Sequence, residues 1–210
     1  MKRPDFAHER ERLALGARLI AGVDEVGRGP LAGPVGAAAV VFEPGVRPPR
    51  GIDDSKKLDR AQREALFPLI LERALAVCVV FATAAEIDLY NIRGAALRAM
   101  SRAVAGLSVR PDFALIDGRD VPDPLACPGR AIIDGDALSL SIAAASIIAK
   151  VARDRLMARL DPHFPDYGFS AHVGYATAAH LAALSRLGPT PLHRRSFKIK
   201  AFGTAILAED

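Results

Sequence analysis

The sequence predicts an α/β domain, in which a mixed β-sheet is flanked by helices and followed by a C-terminal helical appendage. Two strand-like runs stand close together near the start of the chain, and the later strands alternate singly with helices, as in mixed sheets. The 210 residues are 50% hydrophobic and 25% charged, a globular composition that excludes a disordered or collagen-like chain. We expect residues 1–160 to form the catalytic core and residues 161–210 the appendage of one continuous domain.

The elements of the first half follow from the spacing of apolar residues. Two strands are separated only by a turn rich in glycine and proline, so we expect an antiparallel hairpin. Asp59 with Gln62 resembles a helix N-terminus. In order, the predicted elements are a helix at 6–15, the two strands at 19–26 and 35–42, an exposed loop at 43–57, a helix at 60–71 and a strand at 75–82.

Helices and single strands alternate in the second half of the chain. Thr83 and Glu86 match a capping box, and apolar residues recur at helical spacing between Ile92 and Val104. Thr177 is a typical N-cap for the last helix. In order, the predicted elements are a helix at 91–105, strands at 113–116 and 131–133, a long helix at 140–160, a loop at 161–173 and a helix that runs to residue 187.

Composition excludes several classes of protein. The charged N-terminus has no apolar region typical of a secretory signal. Uncharged stretches such as residues 137–149 are shorter than the roughly 18 apolar residues of a membrane span. Cys78 and Cys127 are too few for a disulfide framework or a cysteine-based zinc site. We therefore expect a soluble, cytoplasmic protein that contacts no membrane.

Four acidic residues stand inside or at the end of apolar strands: Asp24, Glu25, Asp117 and Asp136. A buried charge is costly unless a cation or strong hydrogen-bond donors compensate it. Acids at the ends of adjacent strands would converge and repel one another, and a hard divalent cation such as Mg²⁺ or Mn²⁺ would relieve that repulsion. A single acid of this kind is more often a strand-end cap or part of an Asp-Gly turn than a metal ligand. The set of four favours a metal site.

The glycine-rich segment after the first strand indicates a close approach of the backbone to a ligand. Gly27, Gly29 and Ala32 formally match the G-x-G-x-x-G/A fingerprint of dinucleotide-binding proteins. That fingerprint must open a helix, whereas here prolines and glycines lead into a β-branched strand. The glycines, with Arg28 between them, instead suggest contact between backbone and ligand. An enzyme that binds a nucleotide cofactor through this segment is the first alternative function.

Positive charge is concentrated near the C-terminus. The chain carries 28 Lys and Arg against 24 Asp and Glu, a net charge of +4, and residues 185–200 contain no acidic residue. This cluster is either a phosphate-binding patch or a solvated basic tail. It supports the second alternative function, a non-catalytic module that binds duplex nucleic acid. The basic residues of the cluster are Arg186, Arg194, Arg195, Lys198 and Lys200.

Motifs along almost the whole chain, from about residue 19 to residue 197, resemble those of ribonuclease HII, the bacterial type 2 ribonuclease H. The most specific is AGVDEVGRGPLAGPVGAAAVV at residues 21–41. The others follow in order: DSKKL at 54–58, LIDG at 115–118, GD at 135–136, SIAAASIIAKV at 141–151 with RD at 153–154, YGF at 167–169, His172, GY at 174–175 and HRRSF at 193–197.

The resemblance implies a ribonuclease H-like fold and metal-dependent endonucleolytic cleavage. Its substrates would be the RNA strand of RNA–DNA hybrids and duplex DNA with embedded ribonucleotides, and its products would carry 3′-hydroxyl and 5′-phosphate ends. The family's catalytic, metal-binding acids fall on the four acids above. Its glycine-arginine-glycine substrate motif falls on residues 27–29 and its stacking tyrosine on Tyr175. We further expect a monomer whose phosphate contacts are made by Lys56, Lys150, Arg194 and Arg195.

Two positions depart from the family's pattern. The chain has Asp134 and Asp136 around a glycine where the family usually has Lys-Gly-Asp, so both acids are candidates for the fourth ligand. The ten-residue spacing from Asp136 to Ser146 favours Asp136. Val173 replaces the usual lysine between His172 and the following glycine, which removes a possible phosphate contact.

Two further residues on the long predicted helix have structural explanations. Ser146 and Lys150 are four residues apart, not the three of an S-x-x-K nucleophile motif. We expect Ser146 to pack among alanines and Lys150 to pair with Asp154 one helical turn away.

Overall fold

A computed structural model describes residues 3–197 of the chain. It contains a five-stranded sheet, seven α-helices and one short 3₁₀ helix within that range. The elements are α1 (Ala7–Ala14), β1 (Ile20–Val26), β2 (Val35–Val41), α2 (Arg60–Arg73), β3 (Ala76–Ala82), α3 (Ala84–Ala105), β4 (Phe113–Asp117), β5 (Gly129–Ile132), α4 (Gly135–Leu138), α5 (Leu140–Leu160), the 3₁₀ helix Asp161–His163, α6 (Phe169–His172) and α7 (Ala178–Leu187).

The sheet is mixed, with strand order β3-β2-β1-β4-β5. β2 pairs antiparallel with both β1 and β3, which confirms the predicted hairpin. β4 pairs parallel with both β1 and β5. The carboxyl ends of β1, β4 and β5 therefore lie at one edge of the sheet, where parallel strands bring their final residues together.

Helices cover both faces of the sheet. α3 packs on one face, and α5, with α2 beside it, packs on the other. The pleat of β2 separates the two cores, because Ala37 belongs to the core under α3 and its neighbour Ala38 to the core under α5. α5 lies very close to β1, since a methyl group at Gly22 would lie only 2.1 Å from the backbone of Ser141. Residues in the middle of α5 are thereby brought next to the end of β1.

The predicted helix starts are confirmed, with one difference. Asp59 and Thr83 both form capping boxes, with Gln62 and Glu86 respectively. α3 begins at Ala84 and not at residue 91, but Asn91 interrupts it with a positive φ of 56°. The Asn91 side chain accepts a hydrogen bond from the N–H of Gly94 and so caps the second part of the helix. No helix within residues 3–197 is both long and apolar enough to cross a membrane.

The segment after α5 is more regular than predicted. The expected loop at 161–173 contains the 3₁₀ helix and α6. Tyr167 and Phe169 from this segment pack against Met157 of α5 and against Ala32 of the glycine-rich segment. A backbone hydrogen bond from Leu31 N–H to the Gly174 carbonyl, 2.8 Å long, ties the two segments together. The basic residues at 198 and 200 lie outside the described part of the chain.

Candidate active site

Three of the four predicted acids converge at the carboxyl edge of the sheet. The parallel register of β1 and β4 pairs Val23 with Ile116, so the next residues on the two strands, Asp24 and Asp117, lie side by side. Glu25 follows Asp24 at the end of β1. One carboxylate oxygen from each of these three acids lies within 4.8 Å of the others. This spacing suits three oxygen ligands around one cation.

Asp136 lies beside this group of three but outside it. The turn into α4 is fixed by Asp117, whose Oδ1 accepts the N–H of Gly135 at 2.7 Å. Asp136 is 5% exposed, and its Oδ2 lies 3.4 Å from Nζ of Lys56. Asp134, by contrast, is exposed and has a positive φ of 54°. Of the two neighbouring acids, only Asp136 is buried next to the other three.

The site has an excess of negative charge. Burial raises the pKa of Asp24 well above its usual value, and the charges of Glu25 and Asp117 raise it further. The pKa of Asp117 is also raised, by burial and by Glu25, although the N–H group of Gly135 opposes this rise. Burial and the charge of Asp117 raise the pKa of Asp136 in the same way. Buried oxygen ligands that repel one another fit a hard divalent cation such as Mg²⁺ or Mn²⁺.

A cleft of about 300 Å³ opens over these acids. Its lining brings together residues from distant parts of the chain, and most of the predicted substrate-binding residues are among them. The lining consists of Asp24, Glu25, Val26, Gly27, Arg28, Gly29, Ser55, Lys56, Arg63, Asp117, Ser146, Lys150 and Tyr175.

The glycine-rich segment forms one wall of the cleft. It leads directly into β2, which is antiparallel to β1, and no helix follows it. The alternative of a Rossmann-type nucleotide site is therefore wrong, because that site needs a helix N-terminus at this point. Gly27 has a φ of 83°, and a methyl group there would overlap the Arg153 side chain at 2.2 Å. Glycine is thus required at residue 27 both by conformation and by space.

Tyr175 stands opposite the glycine segment. Its side chain is 44% exposed, and a methyl group at Gly29 would lie 3.6 Å from Cε1 of Tyr175. The ring is therefore not a core residue, and one of its edges faces the glycine segment. A planar, exposed ring beside the acids is free to pack against a sugar or a base.

Three buried histidines support the backbone at Tyr175. His180 Nδ1 lies 2.8 Å from the Tyr175 carbonyl oxygen and must donate to it, so His180 Nε2 accepts from His193 Nε2 at 3.1 Å. His193 Nδ1 in turn accepts the N–H of Thr190. His172 stacks on His180, with ring centroids 4.3 Å apart. Burial lowers the pKa of His180, and lowers that of His193 to about 4, so the chain of hydrogen bonds consists of neutral rings.

Two serines in the cleft were not predicted as part of the site. The Ser146 hydroxyl lies 2.7 Å from that of Ser55, and its hydrogen bond to Asp24 opposes the rise of the Asp24 pKa. The expectation that Ser146 only packs among alanines is wrong. Serines at the start of the DSKKL motif and in the middle of an alanine-rich helix were the available signal, because an isolated hydroxyl in such a helix needs a partner.

The predicted basic residues divide into two groups. Lys56 and Lys150 line the cleft, and Lys150 forms the expected ion pair with Asp154 at 2.7 Å. Arg195 is exposed, and its backbone N–H bonds to Asp88. Arg194 is completely buried, and all three nitrogens of its guanidinium donate to backbone carbonyls. The expectation that Arg194 contacts phosphate is wrong for this reason.

Comparisons with known proteins agree with this arrangement. A family model described as ribonuclease HII matches residues 21–200, a range that contains every residue of the cleft. The ribonuclease HII of Brucella ovis is 54% identical over 195 residues, which cover 92% of this chain and 88% of that relative.

Solved structures are similar over the same extent. The ribonuclease H2 of Pyrococcus horikoshii OT3 is 26% identical with a TM-score of 0.69, and the match covers 86% of this chain and 94% of that chain. The RNase HII in a complex with PCNA from Archaeoglobus fulgidus is 26% identical with a TM-score of 0.72, over 87% of this chain and 96% of that chain.

Proposed function

The chain belongs to the ribonuclease HII family and is a ribonuclease H for the RNA strand of RNA–DNA hybrids, and we propose that it also cuts duplex DNA at single embedded ribonucleotides. The products would carry 3′-hydroxyl and 5′-phosphate ends. One observation carries the proposal. Three acids spaced to bind a cation, a glycine-rich backbone segment and an exposed tyrosine all line a single cleft.

The acids would hold the metal and so provide the hydrolytic part of the reaction. Asp24, Glu25 and Asp117 would bind Mg²⁺ or Mn²⁺ directly, and Asp136 would join them when its contact with Lys56 loosens. When bound, the cations supply an activated water for in-line attack and stabilise charge on the leaving 3′-oxygen. Lys56, 83% exposed at its side chain, would contact the phosphate.

The opposite wall of the cleft would select the substrate. RNA and DNA differ locally in the 2′-hydroxyl, so discrimination must depend on a group that contacts it. Gly27 and Gly29 allow backbone groups to approach the nucleotide without a side chain between them. Tyr175 would pack on the sugar that follows the ribonucleotide, where a deoxyribose fits.

Three labelled duplexes test the proposal. One is a continuous RNA–DNA hybrid, one is DNA with a single ribonucleotide, and one is DNA throughout. With Mg²⁺ or Mn²⁺ we expect cleavage of the first two and not of the third, and we expect the ends to be a 3′-hydroxyl and a 5′-phosphate. EDTA should abolish cleavage.

Two outcomes would contradict the proposal. Cleavage of the hybrid without cleavage at the single ribonucleotide would remove the second substrate. Tight binding of all three duplexes without any cleavage in either metal would instead favour the alternative of a non-catalytic binding module.

A further inference from the structure

Two completely buried arginines lie beneath the glycine-rich segment. Arg153, on α5, and Arg194, after α7, are both 0% exposed. Within residues 3–197, neither forms a salt bridge with a carboxylate. A buried cation without a counter-ion is costly, and burial lowers the pKa of both side chains, to about 9 for Arg194. The contacts of the two guanidinium groups must therefore compensate this cost.

The hydrogen bonds of the two arginines go to backbone carbonyls, and the Arg194 guanidinium also lies over the Phe197 ring, 5.1 Å from its centroid. Arg194 donates to the carbonyl oxygen of Gly27 at 2.6 Å, to that of Arg28 at 2.9 Å and to that of Gly33 at 3.0 Å. Arg153 donates to three other carbonyls, those of Ala32, Pro34 and Val173, at 2.9–3.2 Å. Together the arginines satisfy six carbonyls that face the interior of the protein.

The peptide bonds held by Arg194 have a defined orientation as a result. In a planar trans peptide the C=O and N–H groups point in opposite directions. Since the carbonyls of Gly27 and Arg28 face inward to Arg194, the N–H groups of Arg28 and Gly29 face outward, where both residues line the cleft. No hydrogen bond within the described part of the chain uses either N–H as a donor. Two free donors are therefore presented to the cleft.

We propose that Arg194 is a positioning residue that fixes substrate specificity by turning the Arg28 and Gly29 N–H groups towards the 2′-hydroxyl of the ribonucleotide. The proposal rests on the function proposed above, because it concerns the same cleft and the same substrate. Arg194 would touch neither substrate nor metal. It would hold donors in place that otherwise have no side chain to orient them.

The arginine is suited to this task by its shape. A guanidinium presents its donors in a rigid plane and reaches three carbonyls at once, whereas an ammonium has no such geometry. Arg153 lies against Gly27 and holds the next part of the segment, so the two side chains form a continuous support. Lysine at residue 194 keeps the charge but cannot hold all three carbonyls in the same plane.

Arg194→Lys tests the proposal on duplex DNA with a single ribonucleotide. We expect kcat/KM to fall about 10- to 100-fold, the loss typical of one or two misplaced hydrogen-bond donors. Affinity for the all-DNA duplex in EDTA should stay within about twofold, because phosphate contacts do not depend on these N–H groups. Ile70→Ala is the matched control: it creates a cavity under α2 at a residue that does not line the cleft, and should lower Tm without changing kcat/KM at a temperature where it is folded.

Unchanged kcat/KM in folded Arg194→Lys would overturn the proposal, as would an equal loss of affinity for the all-DNA duplex. If the variant does not fold, amide exchange in the wild-type protein decides. In EDTA, the Arg28 and Gly29 N–H groups should be protected by the ribonucleotide duplex and not by the all-DNA duplex; equal protection by both would reject the role. Failure of the wild-type protein to cut at the ribonucleotide would contradict the proposed function instead.

Discussion

At the scale of a single residue, Asp24 is a buried acid whose charge destabilises the metal-free protein. It is 5% exposed, lies between two other acids and has a strongly raised pKa because its charge is buried and repelled. Within the described residues, the Glu25 N–H, at 2.7 Å from Oδ1, and the Ser146 hydroxyl compensate part of this charge, and the positive charge of Lys56 also acts on it. A divalent cation bound by these acids would relieve the repulsion, so its binding would stabilise the folded protein.

We therefore predict that Asp24→Asn stabilises the metal-free protein by about 1–3 kcal/mol, because it removes one buried charge and keeps an acceptor for the Glu25 N–H. Thermal unfolding in EDTA measures the change. Mn²⁺ should raise Tm of the wild-type protein and not that of the variant. Glu72→Gln, which removes an exposed acid on α2, is the control and should shift neither value. A lower Tm for Asp24→Asn would contradict the account.

Asp134 and Asp136 provide a second comparison between single residues. Asp136→Asn should reduce cleavage by about 10³-fold or more, as expected when roughly 4 kcal/mol of transition-state stabilisation is lost. Asp134→Asn should stay within a few-fold of the wild-type rate because its side chain is exposed. Steady-state rates on an RNA–DNA hybrid decide between the two. The reverse order of effects would place the fourth ligand at Asp134.

At the scale of elements, the site depends on two segments that contact each other outside the sheet. The glycine-rich segment after β1 and the segment from α6 to Tyr175 are joined by the bond between Leu31 and Gly174. The histidines and Arg194 hold these segments from beneath. Both surfaces that would contact the sugar are thus supported by buried polar side chains and not by regular secondary structure.

Tyr175→Ala tests the segment from α6 to Tyr175. Loss of the ring should reduce cleavage at a single embedded ribonucleotide by roughly 5- to 150-fold, the effect of about 1–3 kcal/mol of stacking, and should reduce cleavage of a continuous hybrid less. Both rates and Tm are measured. Because the ring is 44% exposed, Tm should change little. Equal losses on both substrates in a protein with a lowered Tm would show that the ring only packs.

The hydrogen-bonded rings of His180 and His193 should make the stability of the protein depend on pH. The pKa of His193 is about 4 in the folded protein and about 6.5 when unfolded, so below pH 6.5 the unfolded state binds the proton first. Stability is therefore lost as pH falls from 6.5 to 4, by about 3 kcal/mol for this residue. The acids with raised pKa act in the opposite direction, so the comparison must be made between variants.

His193→Asn should flatten the fall in unfolding free energy between pH 6.5 and pH 4, measured by chemical denaturation at several pH values. His163→Asn, at an exposed histidine outside the chain of buried rings, is the matched control and should leave the pH profile as it is. A profile for His193→Asn that is parallel to that of the wild-type protein would show that His193 does not titrate as described.

How far the sequence predicts the fold depends on whether an element is local. The hairpin, the capping boxes at Asp59 and Thr83 and the long helix α5 follow from neighbouring residues, and all were predicted correctly. The kink at Asn91 and the short helix α6 were not predicted. Their conformations depend on contacts with other parts of the chain, or on a side chain that caps in mid-helix.

The same distinction applies to the candidate site. Acids in apolar strands are conspicuous in a sequence because burial makes them costly, so the convergence of Asp24 and Asp117 could be anticipated. The burial of Arg194 could not, because a basic cluster in a sequence gives no sign of which side chain turns inward. Its neighbour Arg195 is exposed, and nothing in the pattern distinguishes the two.

At the scale of the whole molecule, the sheet brings the acidic side chains together at one of its edges. The acids lie at or just after the ends of the parallel strands β1, β4 and β5, α5 closes the site from one face, and the segment after α6 adds the wall of the cleft that contains Tyr175. We propose that the carboxylates at this edge form one metal-dependent hydrolytic site.

Single-turnover cleavage of an RNA–DNA hybrid shows whether these carboxylates act with a metal, when it is measured with Mg²⁺, Mn²⁺ or EDTA for the wild-type protein, Asp24→Asn and Asp117→Asn. The wild-type protein should cut only with a divalent cation, and each variant should be slower by about 10³-fold or more while still binding the duplex. Cleavage by the wild-type protein in EDTA, or by either folded variant at a rate near that of the wild type, would contradict the account.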